Sequence, residues 1–425
     1  MDDRLTAVLG TLADDEAAWR DLSALCALGG RFAGSESEAA AIEFLATRLA
    51  EIGGPVVSHP VAYAGWERVT SVLEAAGRQF PCESLVRSPA TGAAGLAAEV
   101  IDLGRGAEED FARAGHHIAG RMVLVRHEYM FATHTVHRRR KYQWAMERGA
   151  VGFLIASHLP GDLPVTGSSG AVPGHGIPAA GISAETAAEL FAGTERYPAV
   201  RLRIECRETR ARTENLSLEL PGRGEEWVVL CAHVDGHHLA QSAMDNGTGL
   251  AAVLAVARAL APHCGGFQRG LRVMFFSVEE WALAGSRHYV ERLEPSARDA
   301  IACVLNLDSV AGHPALTALT SGYPALGPFL VDAARSAGMT LAIHQPIMAN
   351  SDHYNFAVNG IPAARLVAGF DRPESNLRYV LTPADTLDRI SPRELSHAMK
   401  LTAALAFHAC QAPELDLRRG AARGA

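Results

Sequence analysis

The feature that most constrains this fold is the alternation that begins after Asn215. Strands are expected at 227–232, 271–277 and 302–307, with helices from about 248 to 260 and from about 283. The strand cores, such as Val228-Val229-Leu230-Cys231-Ala232 and Val273-Met274-Phe275-Phe276, are apolar without a break. That is the composition of a strand covered on both faces. Such strands alternating with helices predict an α/β fold, a mostly parallel mixed sheet with helices on both faces. In sheets of this kind ligands bind just past the carboxyl ends of the strands.

The polar residues fall at those ends. The first strand runs into His233-Val234-Asp235, where His233 leaves the strand as an imidazole ligand and Asp235 can hold its second ring nitrogen. Twelve residues after His233, Asp245 stands at a turn that opens the next helix. There it could serve as an N-cap or bridge two metal ions through its two oxygens. The second strand ends in Glu279-Glu280, and the third is followed by Asp308. One member of an adjacent acidic pair can bind metal while the other takes a proton from water. Each feature alone has a structural explanation; His, Asp, Glu-Glu and Asp in succession point to a metal centre.

The rest of the chain reads as support. Ile42, Leu45, Leu49 and Ile52 fall at helical spacing, with Ser35 or Ser37 as cap and Gly53-Gly54 as stop. At 425 residues the chain exceeds what one core usually serves. Short apolar strands and Gly- and Pro-rich turns mark 88–195 as a small β-rich inserted domain. The expected division is therefore 1–87 and 196–412 for the catalytic domain, 88–195 for the insertion and 413–425 for a tail.

A net charge of -8 argues against a nucleic-acid surface. The one basic run, His137-Arg138-Arg139-Arg140-Lys141, is either a solvated loop or a source of an arginine that grips a substrate carboxylate. Seven scattered cysteines without a CxxC pair read as reduced core residues. The N-terminus shows no secretory pattern and no apolar run reaches membrane-spanning length, so no membrane partner and a cytoplasmic location are the expectation.

Taken together, His233-Val234-Asp235, Met244-Asp245-Asn246-Gly247-Thr248-Gly249, Phe276-Ser277-Val278-Glu279-Glu280 with Gly285-Ser286, and Asn306-Leu307-Asp308 resemble the zinc aminopeptidase and glutamate-carboxypeptidase family, the co-catalytic zinc exopeptidases. The stretch with Gly120-Arg121-Met122-Val123-Leu124-Val125 and Ile177-Pro178-Ala179-Ala180-Gly181 is similar to the protease-associated domain that interrupts some members. The resemblance implies one zinc site completed by His233 and Asp308, a bridging Asp245, Glu280 on a second zinc, and Glu279 as general base, with Asp235 in a supporting catalytic role. It implies hydrolysis of a peptide or small amide substrate by zinc-bound hydroxide, as an aminopeptidase, by one or two zinc ions with two favoured. The alternatives are a carboxypeptidase for carboxylate-bearing substrates, a mono-zinc cyclase or acyl transferase, and a non-catalytic peptide-binding protein. A homo-oligomer is compatible with all of them.

One departure stands out. Where the family carries a histidine ligand in a Tyr-His-Thr segment before an Asp-Thr pair, this chain reads Tyr379-Val380-Leu381-Thr382 before Asp385-Thr386. Leucine cannot coordinate a metal. The expected replacement is His353 in Ser351-Asp352-His353, with His237 or His238 behind it.

Overall fold

The computed structural model describes residues 2–13, 15–172, 174–193 and 196–420. They form two compact units, the first comprising 1–62, 212–377 and 385–425, the second 63–211 and 378–384. The insertion is thus wider than the expected 88–195, because two long strands, Val56–Ala75 and Ala199–Leu220, each begin in one unit and end in the other. It also recruits the short segment around Leu381.

In the first unit four parallel strands form the centre of the sheet, in the order Gly270–Phe276, Trp227–His233, Ile301–Leu307 and Ala363–Ala368. Antiparallel neighbours flank them: residues 216–220 on one side and Leu316–Leu319 on the other, with Ala342–His344 beyond. The chain places its second strand on one side of Trp227–His233 and its third on the other. The connections therefore diverge at the end of that strand and leave a crevice there, the topological switch point at which open α/β sheets bind ligands. His233 is the last residue of this strand.

The helices bury the faces of this sheet. Thr248–Cys264 is buried along most of its length and packs against Pro392–Gln411, whose start carries Ser391 as N-cap, Pro392 in the first turn and a capping box closed by Glu394. The stretch Ala243–Cys264 is long and apolar enough to cross a membrane, but 78% of its apolar window is buried, which marks a core helix. Glu36–Ile52 begins and ends as the sequence predicts: the Ser35 side chain accepts from Glu38 N–H, and Gly53 takes φ 109°, open only to glycine without strain. The described part of the expected tail docks through Arg418, which donates to the carbonyls of Gly360 and Ile301; residues 421–425 lie outside the described residues.

The second unit is built on a parallel sheet of Leu96–Asp102, Met122–Arg126, Gly152–Ala156 and Ala179–Ile182. Helices at Glu108–Ala114 and Arg138–Glu147 lie in the crossovers between the first three strands. Its core gathers Leu73, Val100, Met122, Leu124, Leu154 and Leu202. The basic run is a structural part of this unit. His137 caps the helix Arg138–Glu147 by accepting from Arg139 N–H, and Arg138 is buried and donates to the Ser168 carbonyl. Lys141, 1% exposed, donates to the carbonyls of Arg105 and Arg126 and to Glu128 Oε2 at 2.7, 2.9 and 2.6 Å. Replacing Lys141 with methionine is therefore expected to lower the stability of this unit by about 1.5–3 kcal/mol, the range for hydrogen bonds to charged groups. Denaturant unfolding followed by far-UV dichroism checks this; an unchanged midpoint would return the run to the solvated surface.

None of the seven cysteines is in a disulfide, and all but Cys206 are buried.

Candidate metal centre

Two sets of side chains converge past the carboxyl ends of the parallel strands. In the first, ligand atoms of His233, Asp245 and Asp308 lie within 4.8 Å of one another; in the second, those of His237, Asp245 and Glu280 do. His233 Nε2 is 3.1 Å from Asp245 Oδ1 and 3.7 Å from Asp308 Oδ1, and His237 Nε2 is 2.5 Å from Glu280 Oε1. Asp245 belongs to both sets, so its two oxygens can face two ions.

Each donor is held by the backbone around it. His233 Nδ1 lies 2.9 Å from the main-chain oxygen of Asp235, which leaves Nε2 as the ligand atom. The sequence assigned this contact to the Asp235 carboxylate, which instead stands 4.0 Å away. That carboxylate is occupied elsewhere, accepting from the N–H groups of Glu279 and Glu280 at 2.9 and 3.1 Å. Asp235 thus fixes both acids of the Glu-Glu pair through their backbone and His233 through its own.

Asp245 sits in a break before the helix Thr248–Cys264, with non-helical dihedrals at Asp245 and Asn246. Asp385 accepts from the N–H groups of Met244 and Asp245 at 2.7 and 3.3 Å. The Asn246 side chain donates to the Leu307 carbonyl and accepts from Gly249 and Ser309 N–H, tying this turn to the strand end that carries Asp308. Asp308 accepts from Ser351 Oγ at 2.5 Å and pairs with Arg365 Nη2 at 3.1 Å.

The electrostatics fit a cation. Burial pushes the carboxyls of Asp245 and Glu279 above the ordinary range, reinforced at both by the charges of Glu280 and Asp308. Burial likewise raises Asp235 to about 8, against the pull of His233. At Asp308 burial acts in the same direction, but Arg365 and His233 outweigh it and hold the group low. For His233 burial favours the neutral ring, yet the charges of Glu279, Asp245 and Asp308 raise it well above the ordinary value. So many buried acids stay ionised only with a compensating charge. Two imidazoles and three carboxylates, one of them the shared aspartate, are the nitrogen and oxygen donors that zinc takes in catalytic sites.

His353, expected to complete the second site, is in neither set, and His237 is the histidine beside Glu280. It is fully buried at the head of the short helix His353–Ala357, and both ring nitrogens lack a hydrogen-bond partner among the described residues. Burial and the Arg365 guanidinium push its pKa down to about 3. In that loop Ser351, not His353, reaches the centre. His237 takes the place beside Glu280, while Leu381, the family's histidine position, is 2% exposed with φ 68° and gives its carbonyl to Thr166 N–H. Sequence reasoning also left Asp385, Asn246 and Ser351 without roles. Of these only Asp385 carried a signal, its Asp-Thr pair.

The chain is similar to known proteins in sequence and in fold. Residues 215–406 match the model of peptidase family M28, and residues 84–190 that of the PA domain. Aminopeptidase YwaD of Bacillus subtilis is 24% identical over 390 residues, covering 90% of this chain and 82% of that protein. The probable lipoprotein aminopeptidase LpqL of Mycobacterium tuberculosis is 29% identical over 56% of this chain and 50% of its own length. Among solved structures, the zinc aminopeptidase BSAP of Bacillus subtilis superposes with a TM-score of 0.75 at 24% identity, over 94% of this chain and 96% of that one. A peptidase M28 precursor from Shewanella amazonensis reaches 0.80 at 22% identity over 98% of both. At these identities the superpositions establish a shared fold.

Proposed function

Because residues 215–406 belong to peptidase family M28 and residues 84–190 to the PA domains, we propose that this chain is a zinc-dependent metallo-exopeptidase acting as an aminopeptidase, with two ions shared by Asp245. The observation that carries the reading is the common aspartate: one carboxylate closes both ligand sets. His233 and Asp308 would hold one ion, His237 and Glu280 the other. Bound zinc lowers the pKa of a water and polarises the scissile carbonyl.

The chain's own groups do the rest. Glu279, whose N–H is held by Asp235, takes a proton from the attacking water and delivers it to the leaving amine nitrogen. Asp308, held low by Arg365 and Ser351, stays an anionic ligand, and Asp385 keeps the Asp245 turn in place through two N–H groups. The aminopeptidase names of the relatives YwaD and LpqL support release from the amino end.

The test is turnover of aminoacyl anilides against N-blocked peptides, with zinc measured in the same samples. Anilide hydrolysis lost on chelation and restored by zinc is the expected result; activity only on N-blocked peptides would assign the chain to carboxypeptidases. Asp245→Ala is expected to lose both ions and activity together. If Asp245 were only a helix cap, the variant would keep its metal and lose about 1 kcal/mol of stability.

A further inference from the structure

Among the described residues Arg31 is the largest fully buried side chain, at 0% exposure, and its guanidinium is bonded to main-chain carbonyls, with the charges of Asp385, Asp245 and Asp235 nearby. Nε donates to Val234 at 2.9 Å, Nη1 to Gln241 at 2.9 Å and Gly29 at 3.3 Å, and Nη2 to Ser242 at 2.7 Å. Val234 and Gln241-Ser242 are the two ends of the loop that carries His237. The main chain of Arg31 grips the same loop, its carbonyl accepting from Gly236 N–H at 3.2 Å.

The neighbours of Arg31 act in the same place. At Gly30 a β-carbon would fall 1.7 Å from the His237 carbonyl oxygen, so the two backbones touch with no room for a side chain. Inside the loop, His237 N–H donates to Ser242 Oγ at 2.9 Å. On the far side of Arg31, the Phe32 ring packs on Trp281 at 4.9 Å and edge-on to His238 at 5.5 Å. Trp281 follows Glu280. Residues 30–32 therefore brace both the loop of His237 and the segment of Glu280.

Desolvating a guanidinium is costly, and an apolar side chain of similar volume would fill the space without that penalty. What it could not do is bind both ends of a nine-residue loop at fixed angles. The planar fork of an arginine can.

We propose that Arg31 is a positioning residue for the second metal site: by pinning the ends of 234–242 it holds the His237 imidazole opposite Glu280 and Asp245. The proposal rests on the reading of His237 as a ligand. It assigns to the N-terminal segment of this chain the building of half the metal centre.

The experiment titrates the full chain with zinc against a competing chelator and resolves the two affinities. Arg31→Met is expected to leave one site at its original affinity and weaken the other by about 10- to 100-fold, as loss of groups that orient a ligand does. Arg31→Lys keeps the charge but not the fork and is expected to behave the same way. Normal second-site affinity in Arg31→Lys would mean that charge alone suffices and would overturn the proposal. Equal weakening of both sites, or two intact sites with only a lower unfolding midpoint, would assign Arg31 to general stability and overturn it too. Should Arg31→Met not fold, Ser242→Ala removes only the hydroxyl that holds His237 N–H. It is expected to weaken the same site, and an unchanged affinity there counts against the proposal. His237→Ala separates the two ideas. If it still binds two ions, the ligand reading itself fails. If it loses one while both Arg31 variants keep two, only the role of Arg31 falls.

Discussion

Glu279→Gln is expected to retain its zinc and to lose between about 10²- and 10⁴-fold in turnover, the usual worth of a general base. The amide nearly matches the carboxylate in size and leaves both ligand sets untouched, since Glu279 is in neither. Its backbone also stays in place, because Asp235 holds the Glu279 N–H and not the side chain. What disappears is the ability to accept a proton. Metal analysis and steady-state kinetics on the same preparation check the result. Full activity would remove Glu279 from the mechanism, and loss of metal would make it a ligand.

The second large effect is expected at His237. His237→Ala should lose about one equivalent of zinc and most of its turnover, because Glu280 and Asp245 alone offer the second ion only carboxylate oxygens. His353→Ala should keep both ions. Its imidazole lies in neither ligand set and faces the Arg365 charge. Leu381→His tests the same assignment from the family's position. With His237 already in the second set, a new imidazole has no open protein position to fill, and the variant should gain no metal. It should lose stability instead, because it buries a polar ring at a 2% exposed site. A gain in second-site affinity in Leu381→His would mean that the position assigned to His237 is vacant, and loss of an ion in His353→Ala would return the second site to the histidine first expected there.

Residues separated by a few positions explain why some of the centre could be read directly. His233, Glu279, Glu280 and Asp308 each follow an apolar run that can only be a buried strand, and strand ends of a parallel sheet share one edge. Their convergence follows from that geometry. His237 and His353 offered no such rule. Both lie in loops, and a loop's path is set by what it packs against.

The sequence alone determined the strand–helix alternation, the parallel sheet, the edge at which chemistry gathers and the presence of an insertion, because burial periodicity and strand-end position are local properties of the chain. Tertiary structure decided the rest: that Asp235 orients His233 by its carbonyl and spends its carboxylate on two amides, that His237 and not His353 stands beside Glu280, and that the basic run at 137–141 is an internal brace of the second unit. The grip of Asp235 on the two amides and that of Lys141 on the Arg105 carbonyl join residues distant in the chain, 44 and 45 positions apart in the first case and 36 in the second. No local pattern encodes which distant carbonyl a buried donor will find; only the packed fold, which leaves that donor a single set of partners, fixes it.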